Sequence, residues 1–484
     1  MRQAFPLDAL ALDRSGSEPL HRQLYRALQT LIQDRTLPPG SELPSTRALS
    51  ADLAVARNTV VAAYDQLGTE GYLHNRAGAR PVVVALPAGP QPQERKQSRS
   101  SGRPLSLRGE AMMCQPVHHG APGQVAFHPG MPDAGNFPFG VWSRLLARRA
   151  NFAGETLFGT YNVTGLPALC EAIAAYLRTA RGVNCTAEEI VVTTGAQAAF
   201  DLLARLLLDP GESVWMEEPG YYGAQSAFIA AGAKLIALPV TLDGWQLERP
   251  SPAPRLFYVT PACQHPFGVT MRMEQRLRLL EIAEQCDAWV IEDDFDGEYR
   301  FQGRPIPAMQ GADRSGRVIY VGTFAKILFP ALRLGFMVLP PALHERIPRA
   351  LSTTGQFAPL LLQAALADFI NEGLMTRHLK RMRRIYAARR QRFRDLCERH
   401  LAGKLTLLSG EAGIQVAGFL HEGIDDQRVA QEALRLGVNV SPLSKHFRHG
   451  PPMQGLVLGY AACDEHQMEH GIQRLKRAIE LATD

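Results

Sequence analysis

The sequence predicts a two-part α/β chain. A small three-helix domain closed by a β-hairpin comes first, then a large domain on a mainly parallel sheet with a smaller α/β subdomain at its carboxyl end. Three observations carry this. Residues 18–85 hold three helical periodicities followed by two short apolar runs, residues 86–123 lose all periodicity, and from Phe127 onward helices alternate with short apolar strands. The expected boundaries are therefore 1–85, a linker at 86–123, and 124–484. Hydrophobic residues make up 46% and charged residues 20%, the balance of an ordinary globular chain that buries a core.

Charge and cysteine usage exclude several classes. The 52 Lys and Arg against 47 Asp and Glu leave +5, too little to imply nucleic acid without a local motif. The seven cysteines are odd in number and include no C-x-x-C pair, so neither a disulfide framework nor a metal site is expected. Arg2, Asp8, Asp13 and Arg14 interrupt the amino terminus, which lacks the apolar core of a signal peptide. The apolar run Leu202–Leu208 contains Arg205 and ends at Asp209-Pro210, far short of a membrane span. A soluble protein of the reducing cytoplasm, with no membrane partner, is expected.

In the first domain, Leu20, Leu24, Leu28 and Leu31 recur at helical spacing between Glu18 and Asp34, and Pro38-Pro39-Gly40 stops the helix. Pro44-Ser45 starts a second helix, with Ser45 as N-cap and Leu49 and Leu53 as its buried edge. A third runs from about Ala56 to Glu70, burying Val60, Tyr64 and Leu67. Gly71 ends it, and Tyr72-Leu73 and Pro81–Val84 form two strands joined at Asn75–Gly78. Three helices and a β-wing make a winged helix-turn-helix. Such a recognition helix puts its first residues at base edges, and Arg and Asn make bidentate contacts with guanine and adenine. Arg57, Asn58 and Thr59 stand there, so double-stranded operator DNA is the expected partner. Arg47 lies near the start of the second helix, with Ser45, Thr46 and the wing residues Gly78 and Arg80 as weaker contacts. The plain alternative for each is a solvated helix face. The linker carries a local +3 between Glu94 and Glu110, which suits a solvated tether or a DNA-touching arm.

In the large domain, Ile190–Thr194 is a buried strand, and Gly195-Ala196-Gln197 opens the helix Ala198–Leu208. A glycine turn there presents free N–H groups to a phosphate. Trp289–Asp294 sets acidic residues at the end of another strand, and Val318–Lys326 sets a lysine just past a third, with Arg333 seven residues on. A lysine that loses its proton readily forms Schiff bases, and an Asp can hold a pyridine nitrogen protonated. Phosphate turn, Asp, Lys and Arg in this order are the parts of a pyridoxal 5'-phosphate (PLP) site.

Residues 18–85, through Pro39-Gly40-x-x-Leu43-Pro44-Ser45-x-Arg47-x-Leu49 and Ala56–Val60, closely resemble the DNA-binding domain of GntR-type bacterial regulators. Residues 127–480 resemble the fold-type I aminotransferases, in detail the PLP-binding domains of MocR-type regulators. The matching stretches are Phe127–Asp133, Glu217–Tyr221, Glu292–Asp296, Gly322–Lys326 and the basic helix Arg377–Arg394. MocR-type regulators join these two domains through a linker. The resemblance implies that Lys326 carries the cofactor as an internal aldimine and is the one catalytic residue. It implies Asp293, rather than Asp294, as the pyridine partner. Gly195, Ala196, Gln197, Thr323 and Arg333 would hold the phosphate, Tyr221 would stack on the ring, and Tyr161 would reach a phosphate across a homodimer interface. His265 falls where aminotransferases place an asparagine near the cofactor hydroxyl, or is a plain loop histidine.

The departures are informative. Cys263 replaces a histidine, Phe267 a small polar residue, Phe295 a tyrosine and Ala325 a serine. Reduced tuning of the lysine suits a sensor better than a fast catalyst. Aminotransferases clamp the substrate carboxylate with a carboxyl-terminal Arg, but Gln454–Tyr460 contains none, and Arg448 is out of register. The function implied is a PLP-dependent transcriptional regulator sensing PLP, an amine or an amino acid. The alternatives are an aminotransferase with a DNA-binding appendage, whose intact motif core would allow a slow half-reaction, and a PLP reservoir or a regulator that has lost PLP. The basic helix could touch DNA or be a half-solvated connecting helix.

Overall fold

The computed structural model describes residues 5–74, 79–85, 105–113, 126–152, 154–248, 252–301, 306–410 and 412–483. The chain divides into two compact units, 1–103 and 104–484.

The first unit has three helices, α1 (Leu20–Gln33), α2 (Thr46–Asp52) and α3 (Arg57–Thr69), and a hairpin of β1 (Leu73–His74) and β2 (Val82–Val83). The strands pair antiparallel, Leu73 opposite Val83. Each helix bound falls within two residues of its expected position. Ser45 Oγ accepts from Ala48 N at 3.2 Å, the N-cap that satisfies a free first-turn amide. Leu24, Leu28, Leu31, Leu49, Val60, Tyr64 and Leu67 fill one core with Leu73 and Val83. The strands are shorter than expected, and the residues joining them, 75–78, lie outside the described residues.

Much of the linker, 86–104 and 114–123, also lies outside the described residues. Its described part holds a short helix, Leu107–Met112, capped by Ser106, whose Oγ accepts from Gly109 N at 3.0 Å. Apolar periodicity could not foretell it in six residues.

The second unit is built on an eight-stranded sheet. Its strands are β3 (Ile190–Thr193), β4 (Ser213–Glu218), β5 (Lys234–Thr241), β6 (Gly244–Trp245), β7 (Leu256–Val259), β8 (Trp289–Asp294), β9 (Val318–Thr323) and β10 (Gly335–Val338). Their spatial order is β3-β10-β9-β8-β7-β4-β5-β6. The central strands β9, β8, β7, β4 and β5 are parallel, while β10 runs against both neighbours and β6 against β5. Helices cover both faces, so β3, β7, β9 and β10 are buried at every position and read as continuous apolar runs. The expected helix Ala198–Leu208 starts two residues earlier, as Ala196–Leu207, directly on its cap Gly195. The smaller subdomain is a four-stranded antiparallel sheet with the helices Asp426–Arg435 and Glu465–Thr483. Its strands are β11 (Leu405–Leu407), β12 (Gln415–Leu420), β13 (Ser441–Pro442) and β14 (Gly455–Gly459).

Candidate functional site

In the first unit, α3 buries Val60, Ala63, Tyr64 and Leu67 and leaves Arg57 and Asn58 exposed at its first turn, with Thr59 half-buried. The turn between α2 and α3 passes through Ala54 at φ 49°. Arg14 fixes that turn, donating to the carbonyls of Leu53 and Ala54 at 3.0 and 2.9 Å. No periodicity marked Arg14, which lies outside the three helices. Thr46 Oγ1 accepts from Arg57 Nε at 3.4 Å, so Thr46 positions the recognition arginine. Arg47 is exposed on α2, and Arg80 lies 4.0 Å from Glu42. Ser45 is exposed with its hydroxyl engaged as the cap, and Gly78 falls outside the described residues.

In the second unit, the expected site residues other than Tyr161 lie around the carboxyl ends of the parallel strands, where α/β sheets bind ligands. Lys326 follows β9 and its Nζ donates to Gly130 O at 2.6 Å. A Cβ on Gly130 would stand 2.5 Å from that nitrogen, so the approach needs glycine, which also adopts φ 67° there. Burial lowers the Lys326 pKa, with Asp296 and Asp293 opposing.

Asp293 is the penultimate residue of β8. Its Oδ2 accepts from Tyr258 OH at 2.6 Å, and its buried Oδ1 has no partner among the described residues. Burial pushes its pKa up to about 7. Asp294 accepts on Oδ2 from Arg181 Nε at 2.7 Å and Tyr320 OH at 2.5 Å, and its Oδ1, like that of Asp293, has no partner among the described residues. The ion pair with Arg181 is what distinguishes Asp294 from Asp293.

Gly195 caps the helix Ala196–Leu207 at φ 105°, and the Arg333 guanidinium comes within 3.6 Å of where its Cβ would be. Thr323 is buried beside them. Gln197 directs its side chain away from the turn, donating to Gly223 O at 2.8 Å, which leaves its backbone N–H for an anion. Tyr221 lies with its ring over Gly223, where any Cβ would approach the ring to 2.3 Å. It meets His265 edge-on, centroids 5.5 Å apart.

His265 Nδ1 accepts from Gln415 Nε2 at 3.1 Å, which places its hydrogen on Nε2, a buried atom without a partner among the described residues. Phe295 packs against the same ring. Tyr161 stands apart, 62% exposed and stacked on Phe357 at 4.8 Å. Sequence reasoning missed Tyr258, Gln415 and His446, which reach the site from β7, β12 and the turn after β13; nothing in their local sequence marks them.

The basic helix spans Leu374–His400 and buries Leu379, Met382, Tyr386 and Phe393. Most of its arginines are spent internally. Arg381 donates to Asn136 O, Arg383 to Glu298 O, Arg390 to Ser409 O and Gly410 O, and Arg394 to Leu408 O. Arg389 pairs with Asp133 and Arg392 with Glu469. This is a connecting helix that fastens the smaller subdomain.

Two family models match the chain: bacterial regulatory proteins of the gntR family over residues 20–83, and aminotransferase class I and II over 132–475. The probable rhizopine catabolism regulatory protein MocR of Rhizobium meliloti is 51% identical over 97% of this chain and 96% of its own length. The pyridoxine biosynthesis regulator PdxR of Corynebacterium glutamicum is 29% identical over 98% of each. Among solved structures, the α-aminoadipate aminotransferase LysN of Thermus thermophilus, complexed with N-(5'-phosphopyridoxyl)-L-leucine, superposes with a TM-score of 0.71 at 27% identity. That match covers 78% of this chain and 97% of the enzyme.

Proposed function

Because the chain belongs to the MocR-type branch of the GntR regulators, it is a DNA-binding transcriptional regulator with an aminotransferase-like domain, and we propose that this domain holds PLP through Lys326. The observation that carries the cofactor reading is Asp293. A buried carboxyl with a free oxygen, within reach of the Lys326 charge, fits a protonated ring nitrogen. Bound PLP supplies a carbonyl carbon that takes a primary amine. The partly buried Lys326 amine, lowered in pKa, provides that attachment.

The backbone N–H groups at Gly195, Ala196 and Gln197, with Thr323 and Arg333, are the proposed phosphate cradle. Tyr221 lies against the ring, His265 serves the ring hydroxyl, and the exposed Tyr161 is offered to a second copy in a homodimer. Residues 86–123 tether this domain to the operator-binding one, and the whole protein works in the cytoplasm. No helix among the described residues is long and apolar enough to cross a membrane. By similarity to the Rhizobium meliloti protein, whose name assigns it to rhizopine catabolism, we take the regulated genes to be catabolic, and because PLP takes amines, the signal to be PLP itself or an amine or amino acid bound at this site. For the amine to act as a switch it must bind the two states of the regulator with different affinity.

The test is to select a duplex from a random-sequence pool with the full chain, then compare two variants. Arg57→Ala should weaken binding of that duplex and keep the visible PLP band; Lys326→Ala should keep duplex binding and lose the band. Steady turnover of an amino acid with a 2-oxo acid would instead make the chain an aminotransferase.

A further inference from the structure

The last helix, Glu465–Thr483, buries Met468, Ile472, Leu475 and Ile479 in the core of the second unit and leaves the opposite face exposed. That face begins in the run His466-Gln467-Met468-Glu469-His470, whose two exposed histidines stand four residues apart, one above the other on the helix. Their ring centres are 4.1 Å apart with the planes 33° from parallel. Two imidazoles bound to one ion at about 2.0–2.1 Å per nitrogen hold their ring centres about 4.5–5 Å apart, so a small side-chain rotation brings this pair to a chelating distance.

The hydrogen bonding prepares the pair for a cation. His470 Nδ1 lies 2.9 Å from the carbonyl oxygen of His466, one turn back. A carbonyl only accepts, so the ring hydrogen is on Nδ1 and the lone pair of Nε2 is left bare. A bond of this kind fixes the tautomer and ring orientation of metal-binding histidines. The His466 side chain makes no hydrogen bond or ion pair among the described residues, which leaves it free to turn a nitrogen to the same ion. Glu469, between them, is paired with Arg392 of the helix Leu374–His400.

His470 also lines a cleft of about 370 Å³ with Leu396, Arg399, His400, Glu469 and Gln473, which gives room for water on an ion. No set of three or more His, Cys, Asp or Glu among the described residues could hold a metal, so the site is an open one that keeps water at its other positions.

We propose that His466 and His470 form a two-imidazole chelate for a divalent transition-metal ion of the Cu²⁺, Ni²⁺ and Zn²⁺ class. Imidazole nitrogen suits these ions, whereas Mg²⁺ and Ca²⁺ require oxygen ligands. The site uses none of the cysteines and is independent of the PLP reading. An ion bound only by the folded helix stabilises it by mass action, and with it the smaller subdomain that this helix packs on.

The test uses the untagged full-length protein, stripped of metal with a chelator and titrated by calorimetry with Ni²⁺, Cu²⁺ and Mg²⁺. The expected result is saturable binding of Ni²⁺ and tighter binding of Cu²⁺, no response to Mg²⁺, and a melting temperature that rises with Ni²⁺. His466→Gln and His470→Gln are each expected to lower Ni²⁺ affinity about tenfold or more and to remove the melting shift. His400→Gln, across the cleft, should leave both unchanged. Both helix variants alter exposed side chains, so their unliganded melting temperatures should match the parent. No saturable binding of Ni²⁺ or Cu²⁺, or an affinity unchanged in His466→Gln and His470→Gln, overturns the proposal. A loss confined to His400→Gln overturns it as well, by moving the site to the other side of the cleft.

Discussion

Asp293 shows how one side chain trades stability for a binding site. Its folded pKa of about 7 lies above the ordinary value of 3.8, so the unliganded fold holds its proton more tightly than the unfolded chain. The stability this gives is complete below about pH 4 and is lost as pH rises through 7. Asparagine cannot ionise. Asp293→Asn without PLP should therefore match the parent near pH 4 and exceed it at pH 8 by an amount on the order of 4 kcal/mol at most, read from thermal melts across pH. The same variant should bind PLP more weakly, because the ring nitrogen loses its counter-charge. An Asn variant no more stable at pH 8 would mean that Asp293 is ionised at no cost. In the other unit, Arg57→Ala should cost about 1–3 kcal/mol of duplex binding, while Arg47→Ala should reduce the salt dependence of that binding. Anisotropy titrations over a salt series separate the two effects.

At the level of elements, legibility followed periodicity. Helices α1 and α3 were readable from leucines and apolar residues three and four apart, and α2 from its Ser45 cap. The central strands were readable because burial on both faces makes them continuous apolar runs. Lys326, Asp293, Gly195 and Arg333 could be proposed from the sequence because each sits at a strand end or turn whose local sequence draws attention to it. Tyr258, Gln415 and His446 were not, since a side chain that reaches a site from another element leaves no local signal. The arginines of helix Leu374–His400 left two readings open, a DNA contact or a connecting helix, and most of them are held by carbonyls and carboxylates of this chain. Exposed Arg384→Ala should thus leave duplex affinity within about 0.5 kcal/mol, whereas Arg389→Ala, which removes the cation paired with buried Asp133 and leaves it only the Asn136 donors, should lower the melting temperature of the large unit. Gly195→Ala would force φ 105° on a residue with a Cβ, and is expected to weaken PLP loading more than it weakens folding.

At the scale of the whole molecule, the winged helix and the aminotransferase-like fold are separate compact units with separate cores. Leu49 is fully buried in the first of these cores. Leu49→Ala should cost about 2–5 kcal/mol there. Calorimetry of that variant should show the small unit melting earlier, with PLP loading of the large unit unaltered. The central claim is that a regulator built this way holds PLP on one specific lysine. The most direct measurement is to titrate the full chain with PLP, reduce it with borohydride and map the labelled peptide. A saturable visible band with the label on Lys326 is the predicted result. No band, or a label on another lysine, would contradict the account and leave a DNA-binding protein whose large domain keeps the fold without the chemistry.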